Sequence, residues 1–342
     1  MRCSVIILNW NGVSMLQHYL PSVLQYSQLP NCEVVVADNG STDESLSYLA
    51  TLPNVRVVPF AENYGFAEGY NRALAATDAE YTVLLNSDVE VTEGWLDNLL
   101  NYMDMHHDVA ACQSKILSYK SKQSYDAHEV LSVAFEHAGA AGGYMDILGY
   151  PYCRGRILSY VENDEGQYDT VAPIFWASGA CLCIRTAVYK QEGGLDARFF
   201  AHMEEIDLCW RLQCRGHQMV CVPTSVVYHL GGGSLQYENP RKTYLNFRNN
   251  LLMLYKNMPM RYLWWVWIVR FFMDYLAGFQ YVVKGQFANF RAVVRARWDF
   301  LRQHKEFYAD RVANSQKAVV ALPKLIAHRS IVLDFYLRRK RK

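Results

Sequence analysis

Four short apolar runs in the first quarter of the chain set the narrowest limits on its fold. "SVIIL" (Ser4–Leu8), "EVVVA" (Glu33–Ala37), "VRVVP" (Val55–Pro59) and "YTVLL" (Tyr81–Leu85) are rich in β-branched residues and do not alternate with polar ones. That is the pattern of strands covered on both faces. The stretches Met15–Tyr26, Asp43–Leu49, Gly65–Ala76 and Glu93–Asp104 have helical character. Strand–helix alternation predicts an α/β fold with a Rossmann-like, mostly parallel, doubly wound sheet. Such sheets bind ligands beyond the carboxyl ends of their strands. Three runs end in Asn9-Trp10-Asn11-Gly12, in Asp38-Asn39-Gly40-Ser41-Thr42-Asp43 and in Asn86-Ser87-Asp88, and the remaining one is followed by Glu62-Asn63-Tyr64-Gly65. One polar strand end is turn chemistry. Several on one sheet edge look like a site.

From Ser118 to Ala172 the pattern loosens into glycines and scattered tyrosines, read as an insertion of long loops and short strands. "SGACLCIR" (Ser178–Arg185) is a strand, and "MEEIDLCWRLQCRG" (Met203–Gly216) a helix closed by Gly216, with Ile206, Trp210 and Cys214 on one side. "QMVCVP" and "SVVYHL" read as two short strands. Beyond Tyr237 the chain is helical in character. Two parts are expected, residues 1–236 and 237–342.

Charge divides along the same line. The net charge is +1, yet from Arg241 onward there are 21 basic and 5 acidic residues, leaving 13 basic and 28 acidic before it. A basic segment rich in Trp, Tyr and Phe suits an anionic membrane surface. Single-stranded nucleic acid is the competing partner. We adopt the membrane and expect no nucleic acid. Arg261–Val283 is long enough to span a bilayer, but Arg270 and Asp274 interrupt it, which favours an amphipathic surface helix or a core helix over a span. The tail Arg338–Lys342 would be drawn to acidic headgroups. Nine scattered cysteines without a Cys-x-x-Cys pair point to a reducing cytosol. Val5–Leu8 is too short for a signal peptide. The expected location is therefore cytoplasmic, peripheral to the inner face of the membrane.

Taken in order, "VIILNWNG", "VVVADNGSTDES", "ENYGFAEGYNRAL", "VLLNSDVEV", "GGLDARFFAHMEEIDLCWRL" and "VVYHLGGGS" resemble the family 2 glycosyltransferases of the GT-A fold. They are most similar to the rhamnosyltransferase-like branch that builds bacterial surface polysaccharides. The resemblance covers residues 4–235. It implies inverting transfer of a sugar from a dTDP- or UDP-linked donor to a hydroxyl of a glycan acceptor, here a lipid-linked oligosaccharide.

Each residue has its implied place. Asn9, Asp38, Asn63, Gly65, Asn71, Asn86 and Asp88 border the nucleotide-sugar. Asp38 can accept a hydrogen bond from a uracil or thymine N–H, or be an Asx-turn. Asp43 caps the helix that follows it. A divalent metal, Mg2+ or Mn2+, relieves charge on the departing diphosphate. Asp88 is its direct ligand, and His229 is a further ligand or a packed histidine. Asn86 is a weak ligand, or holds the ribose or a water. The general base falls on Glu205, where the family usually has aspartate, with Glu204 as the alternative. Asp207 pairs with Arg211 one turn on. Trp176 and Gly179 border the acceptor, with Trp176 either stacking on a sugar or packed in the core.

Two rival readings stand beside this one. A sugar-phosphate nucleotidyltransferase needs a Gly-rich phosphate loop with a basic residue after the first strand, which Asn9-Trp10-Asn11-Gly12 lacks. A nucleotide-sugar or glycan-binding protein without turnover is kept open by Asn86 and Glu205.

Overall fold

In the computed structural model, which describes residues 1–231 and 239–339, the four apolar runs form β1 (Cys3–Asn9), β2 (Cys32–Asp38), β3 (Arg56–Pro59) and β4 (Tyr81–Asn86). They lie parallel in the order β3-β2-β1-β4. Their lack of alternation has a direct cause. Ile6, Val35 and Leu84 enter one core, while Val5, Ile7, Val34, Val36, Val83 and Leu85 enter a second on the opposite face. The helices α1 (Val13–Tyr26), α2 (Ser45–Leu49), α3 (Gly65–Ala75) and α4 (Trp95–Met105) lie within two residues of their expected ends.

Past β4 the sheet is mixed rather than mostly parallel. β5 (Val89–Val91) is followed by β6 (Val109–Ser118). Nine of the ten β6 residues are buried, but Ala110, Ala111, Cys112, Gln113, Ser114 and Lys115 do not read as an apolar run. The insertion holds α5 (Tyr119–Asp126) and the short strands β7 (Gly143–Asp146), β8 (Pro151–Cys153), β9 (Arg156–Ile157) and β10 (Tyr160–Val161). Then come β11 (Ala172–Pro173), β12 (Cys181–Arg185), α6 (Thr186–Gln191), α7 (Glu204–Cys214) and β13 (Gln218–His229). β12 runs against both β4 and β6, whereas β13 runs with β6 and pairs β5 antiparallel. The two short strands read from the sequence are thus one. Pro223, with no N–H to give, lies where the β13–β6 register shifts between Val222 and Val226.

The C-terminal helices are α8 (Pro240–Asn257), α9 (Met260–Val283), α10 (Phe287–Gln303), α11 (Tyr308–Lys317) and α12 (Ile331–Tyr336), with β14 (Ile326–Ala327) added to the edge of the small β7–β10 sheet. Asn239 opens α8 by accepting the Arg241 N–H at 2.8 Å, with Pro240 first in the helix. Leu251 to Leu254 of α8, Leu263 and Val266 of α9 and Phe300 of α10 enter the same core as Ile6 and Leu84. The boundary expected at 236/237, Gly232, Gly233 and Lys340–Lys342 lie outside the described residues.

Helix α9 corrects one expectation. Arg270 and Asp274 do not interrupt an outward apolar surface, because both face inward. Asp274 accepts from Arg270 Nε at 3.0 Å and from Arg297 at 2.6 Å, and Arg270 donates to the Leu148 carbonyl at 2.9 Å and to Asn250. Composition counts charges; only packing tells which side they face.

Candidate active site

Strand register assembles the first part of the site. Asn9 lies opposite Asp38 and Leu8 opposite Asn86, so the polar ends of β1, β2 and β4 are neighbours on one edge. Asp38 is fully buried. Its Oδ2 accepts from Asn9 Nδ2 and its Oδ1 from the Ser41 N–H, each at 2.9 Å. It therefore braces two loops against each other, as an Asx-turn would. Asn9 Oδ1 is buried without a partner. Asp43 accepts the Ser45 N–H at 3.1 Å and also the Val13 N–H of α1 at 3.0 Å, so it serves two helices where the sequence promised one. Asn63 Oδ1 holds Asn39 and the Gly65 N–H. Gly65 has φ +80°, and a Cβ there would stand 2.6 Å from the Phe200 ring, so only glycine fits. The Phe66 N–H donates to the Phe200 carbonyl at 2.8 Å. The first turn of α3 is thereby docked on the loop that leads into α7.

Pairing of β5 with β13 sets His229 opposite Val89, beside Asp88. His229 Nε2 is 3.1 Å from Asp88 Oδ1 and 3.4 Å from Asn86 Nδ2. Both Asp88 and His229 are buried. Burial opposes charge on His229, but Asp88 and then Glu136 outweigh it and raise its pKa. Among the described residues no cluster of three or more His, Cys, Asp or Glu side chains could enclose a metal by itself. The donors do fit a site completed by its ligand. A carboxylate and an imidazole sit together, and His229 Nδ1 is buried without a partner among the described residues. A hard cation bound by one or two protein carboxylates takes its other oxygens from phosphates and water.

The third part lies at the start of α7. Phe200, His202 and Met203 all have positive φ, at 65°, 69° and 76°, a strained run of the kind that gathers at functional sites. Immediately after it, Glu204 Oε2 and Glu205 Oε2 are both buried without a partner among the described residues, as is His202 Nε2. Desolvation, then the neighbouring Glu205, raise Glu204 well above the ordinary carboxylate range. Glu205 is less covered, and burial lifts it to about 7. Asp207 goes the other way. Burial would raise it, but Lys256 and Arg211 prevail and lower it. Its oxygens accept from Arg211 at 3.0 Å, Lys256 at 2.8 Å and Asn257 at 2.7 Å, a structural role.

These parts converge. Ala177 N–H meets Cys209 Sγ of α7 at 3.5 Å, and three residues on the Ala180 carbonyl accepts the Asn86 N–H at 3.1 Å. The Lys242 ammonium of α8 acts electrostatically on His229, on His202, which burial and Lys242 push down to about 4, and on Glu136. One cation thus acts on both His229 and His202, the residue two before Glu204. Glu136, His202, Lys242 and Asn249 were not singled out from the sequence. No local motif marks Glu136, Lys242 or Asn249, which long-range packing brings in, whereas His202 lies inside a quoted motif, two residues before Glu204.

Other expected residues take part differently. Trp176 is a core residue: it is 4% exposed, Gly143 lies against its ring, and its Nε1–H donates to the Tyr144 carbonyl at 2.9 Å. It has no free face on which a sugar can stack. Gly179 is buried against Phe66. Asn71 spends its amide on the Leu195 backbone and the Tyr189 hydroxyl, bracing α3 from behind.

Comparison with known proteins fits this layout. The model of the glycosyl transferase family 2 matches residues 4–159. N-acetylglucosaminyl-diphospho-decaprenol L-rhamnosyltransferase of Mycobacterium tuberculosis is 29% identical over 237 residues, 66% of this chain and 75% of that protein. The O-antigen biosynthesis protein RfbC of Myxococcus xanthus is 25% identical over 236 residues, 67% of this chain but 17% of that protein. Among solved structures, S. aureus TarS 1–349 in complex with UDP-GlcNAc superposes with TM-score 0.54 at 14% identity, covering 93% of this chain and 89% of that one. The mannosyltransferase PcManGT of Pyrobaculum calidifontis, in complex with GDP-Man and Mn2+, superposes with TM-score 0.52 at 14% identity, covering 92% and 80%. At such identities the superpositions speak for the fold alone. Residues 4–159 thus form a glycosyltransferase family 2 domain, relatives continue the similarity across two thirds of the chain, and the protein is a glycosyltransferase built on the GT-A fold.

Proposed function

We propose that the enzyme transfers a sugar, with inversion, from a dTDP- or UDP-linked donor to a hydroxyl of a lipid-linked glycan acceptor in surface-polysaccharide assembly. The observation that carries this reading is the adjacent pair Glu204 and Glu205, with unpartnered buried oxygens and Glu205 lifted to about 7. A base works best with its pKa near the working pH. Glu205 takes the proton of the acceptor hydroxyl as that oxygen attacks the anomeric carbon, and the nucleoside diphosphate leaves with the bonding pair. Glu204, buried beside it, is held well above its ordinary carboxylate range. Asn9, Asp38, Asn63 and Gly65 shape the loops against which the nucleotide lies. Asp88 and His229 hold Mg2+ or Mn2+, which offsets the charge of the diphosphate. The Mn2+ in the PcManGT complex supports a metal without fixing which one.

The lipid-linked acceptor is supported by the name of the mycobacterial relative, a rhamnosyltransferase acting on a decaprenol diphosphate. It carries with it a place at the inner face of the cytoplasmic membrane. Residues 1–236 then handle donor and chemistry, and residues 237–342 brace the base loop and face the lipid. The test is turnover with dTDP-rhamnose or UDP-sugars and a polyprenyl-diphosphate-linked N-acetylglucosamine, with manganese. Donor-dependent release of nucleoside diphosphate that Glu205→Gln removes is expected. Nucleotide-sugar binding with no release would sink the proposal.

A further inference from the structure

Helix α9 is built the wrong way round for water. Between Trp264 and Phe279 its exposed residues are Trp264, Ile268, Phe271, Phe272, Leu276 and Phe279, with no charged side chain among them. The two charges of that stretch, Arg270 and Asp274, are 2% and 0% exposed and paired within the protein. A surface helix of a soluble protein has the opposite polarity. Arg261 and Lys284 are exposed at the ends of α9, and Arg291 and Arg302 are exposed on α10, the helix that packs beside it. The α10 cations share their surface with exposed Phe287, Trp298 and Leu301, and Arg302 lies over the Trp298 ring at 4.8 Å.

The geometry points to the outer face of α9, rimmed by the arginines of α10, as a docking surface for an anionic lipid bilayer. An apolar strip with a basic, aromatic border is what lies in the boundary between acyl chains and headgroups. The helix is long and apolar enough to cross a membrane, but Arg270 ties it to Leu148 and Asn250 of the body, so it lies on the bilayer rather than through it. A second copy of this chain is the weaker occupant, since a two-fold pair would set one basic rim against another. The inference rests on the membrane-side acceptor proposed above, and it adds the surface and its lipid chemistry.

The full-length protein should float with vesicles of phosphatidylethanolamine containing about one-third phosphatidylglycerol, and much less with phosphatidylcholine alone or in high salt. Phe272→Glu with Phe279→Glu should cut partitioning about tenfold or more. Arg291→Glu with Arg302→Glu should abolish the preference for anionic lipid. Unfolding midpoints and nucleotide-sugar turnover with a water-soluble acceptor report whether each variant is folded and active. Folded variants that float like the parent would overturn the inference. So would a parent that ignores vesicles but forms a dimer, by light scattering, that the phenylalanine substitutions dissolve. Vesicles carry no acceptor, so failure to float with turnover intact would leave the catalytic reading standing. Loss of turnover with flotation intact would do the reverse.

Discussion

The side-chain nitrogen of Asn249 lies 2.8 Å from the carbonyl oxygen of His202, and the same nitrogen reaches the carbonyls of Phe199 and Ala201 at 2.9 and 2.8 Å. One amide from α8 therefore holds the strained turn that delivers Glu204 and Glu205. Asn249→Ala leaves buried carbonyls unpaired, at a cost of about 1–3 kcal/mol. Its effect on turnover should exceed its effect on donor affinity, because Glu204 and Glu205 follow the turn directly, whereas the donor side meets it only where Gly65 and Phe66 pack on Phe200. Steady-state kinetics with thermal unfolding separate the two. An equal rise in donor KM with kcat unchanged would contradict the bracing role.

Glu205 gives the reaction its expected pH dependence. With burial lifting it to about 7, kcat/KM should rise with pH through that region and level off above it. Glu205→Gln should be lower by about a hundredfold or more and nearly flat. Stability runs the opposite way. The unfolded carboxyl titrates near its ordinary 4.5 and the folded one near 7, so the fold binds the extra proton and loses stability as pH rises between those values. Relative to the parent, Glu205→Gln should gain in unfolding midpoint toward pH 8, and the gain should shrink toward pH 4.5.

Asp88 and His229 form a pair that a bound diphosphate would complete. Manganese alone should barely shift the unfolding midpoint of the parent, whereas manganese with dTDP or UDP should raise it. Asp88→Asn keeps the shape and removes the charge, and should weaken metal-dependent nucleotide binding by about tenfold or more in calorimetry. Unchanged binding would remove Asp88 from the metal.

Asp274 is shared by Arg270 and Arg297. Asp274→Ala strands a buried guanidinium and should cost about 3–5 kcal/mol. Arg270→Met and Arg297→Met with Asp274→Leu remove all three charges and should recover much of that loss. Denaturant unfolding of the three proteins measures it.

The legible parts of this chain were those governed by local pattern. β1 to β4 announce themselves because both of their faces meet a core, and the polar strand ends follow directly. β6 stays hidden because Gln113 pairs with Ser178 and Lys115 with Asp164 and Asp169, so polar residues could be buried there. Asp207 was legible as a structural partner of Arg211 from spacing alone. Trp176 was ambiguous, since a tryptophan beside a site and one beneath it look the same in a string of letters. Glu136, Lys242 and Asn249 reach the site only through contacts between distant segments. The polarity of α9 was half legible: its period separates two faces, but nothing in the period says which one meets the protein.

The bond from Arg270 to Asn250 has a practical consequence for anyone wishing to handle this enzyme. Asn250 adjoins Asn249, the residue that steadies the turn before Glu204. Cutting the chain after Pro259 to make it tractable would remove the greasy surface and Arg270's hold on Asn250 in a single stroke, so a loss of activity in the shortened protein would not report on lipid. A tractable enzyme has to be made by substituting the outer side of one helix position by position, leaving its inner side as it stands.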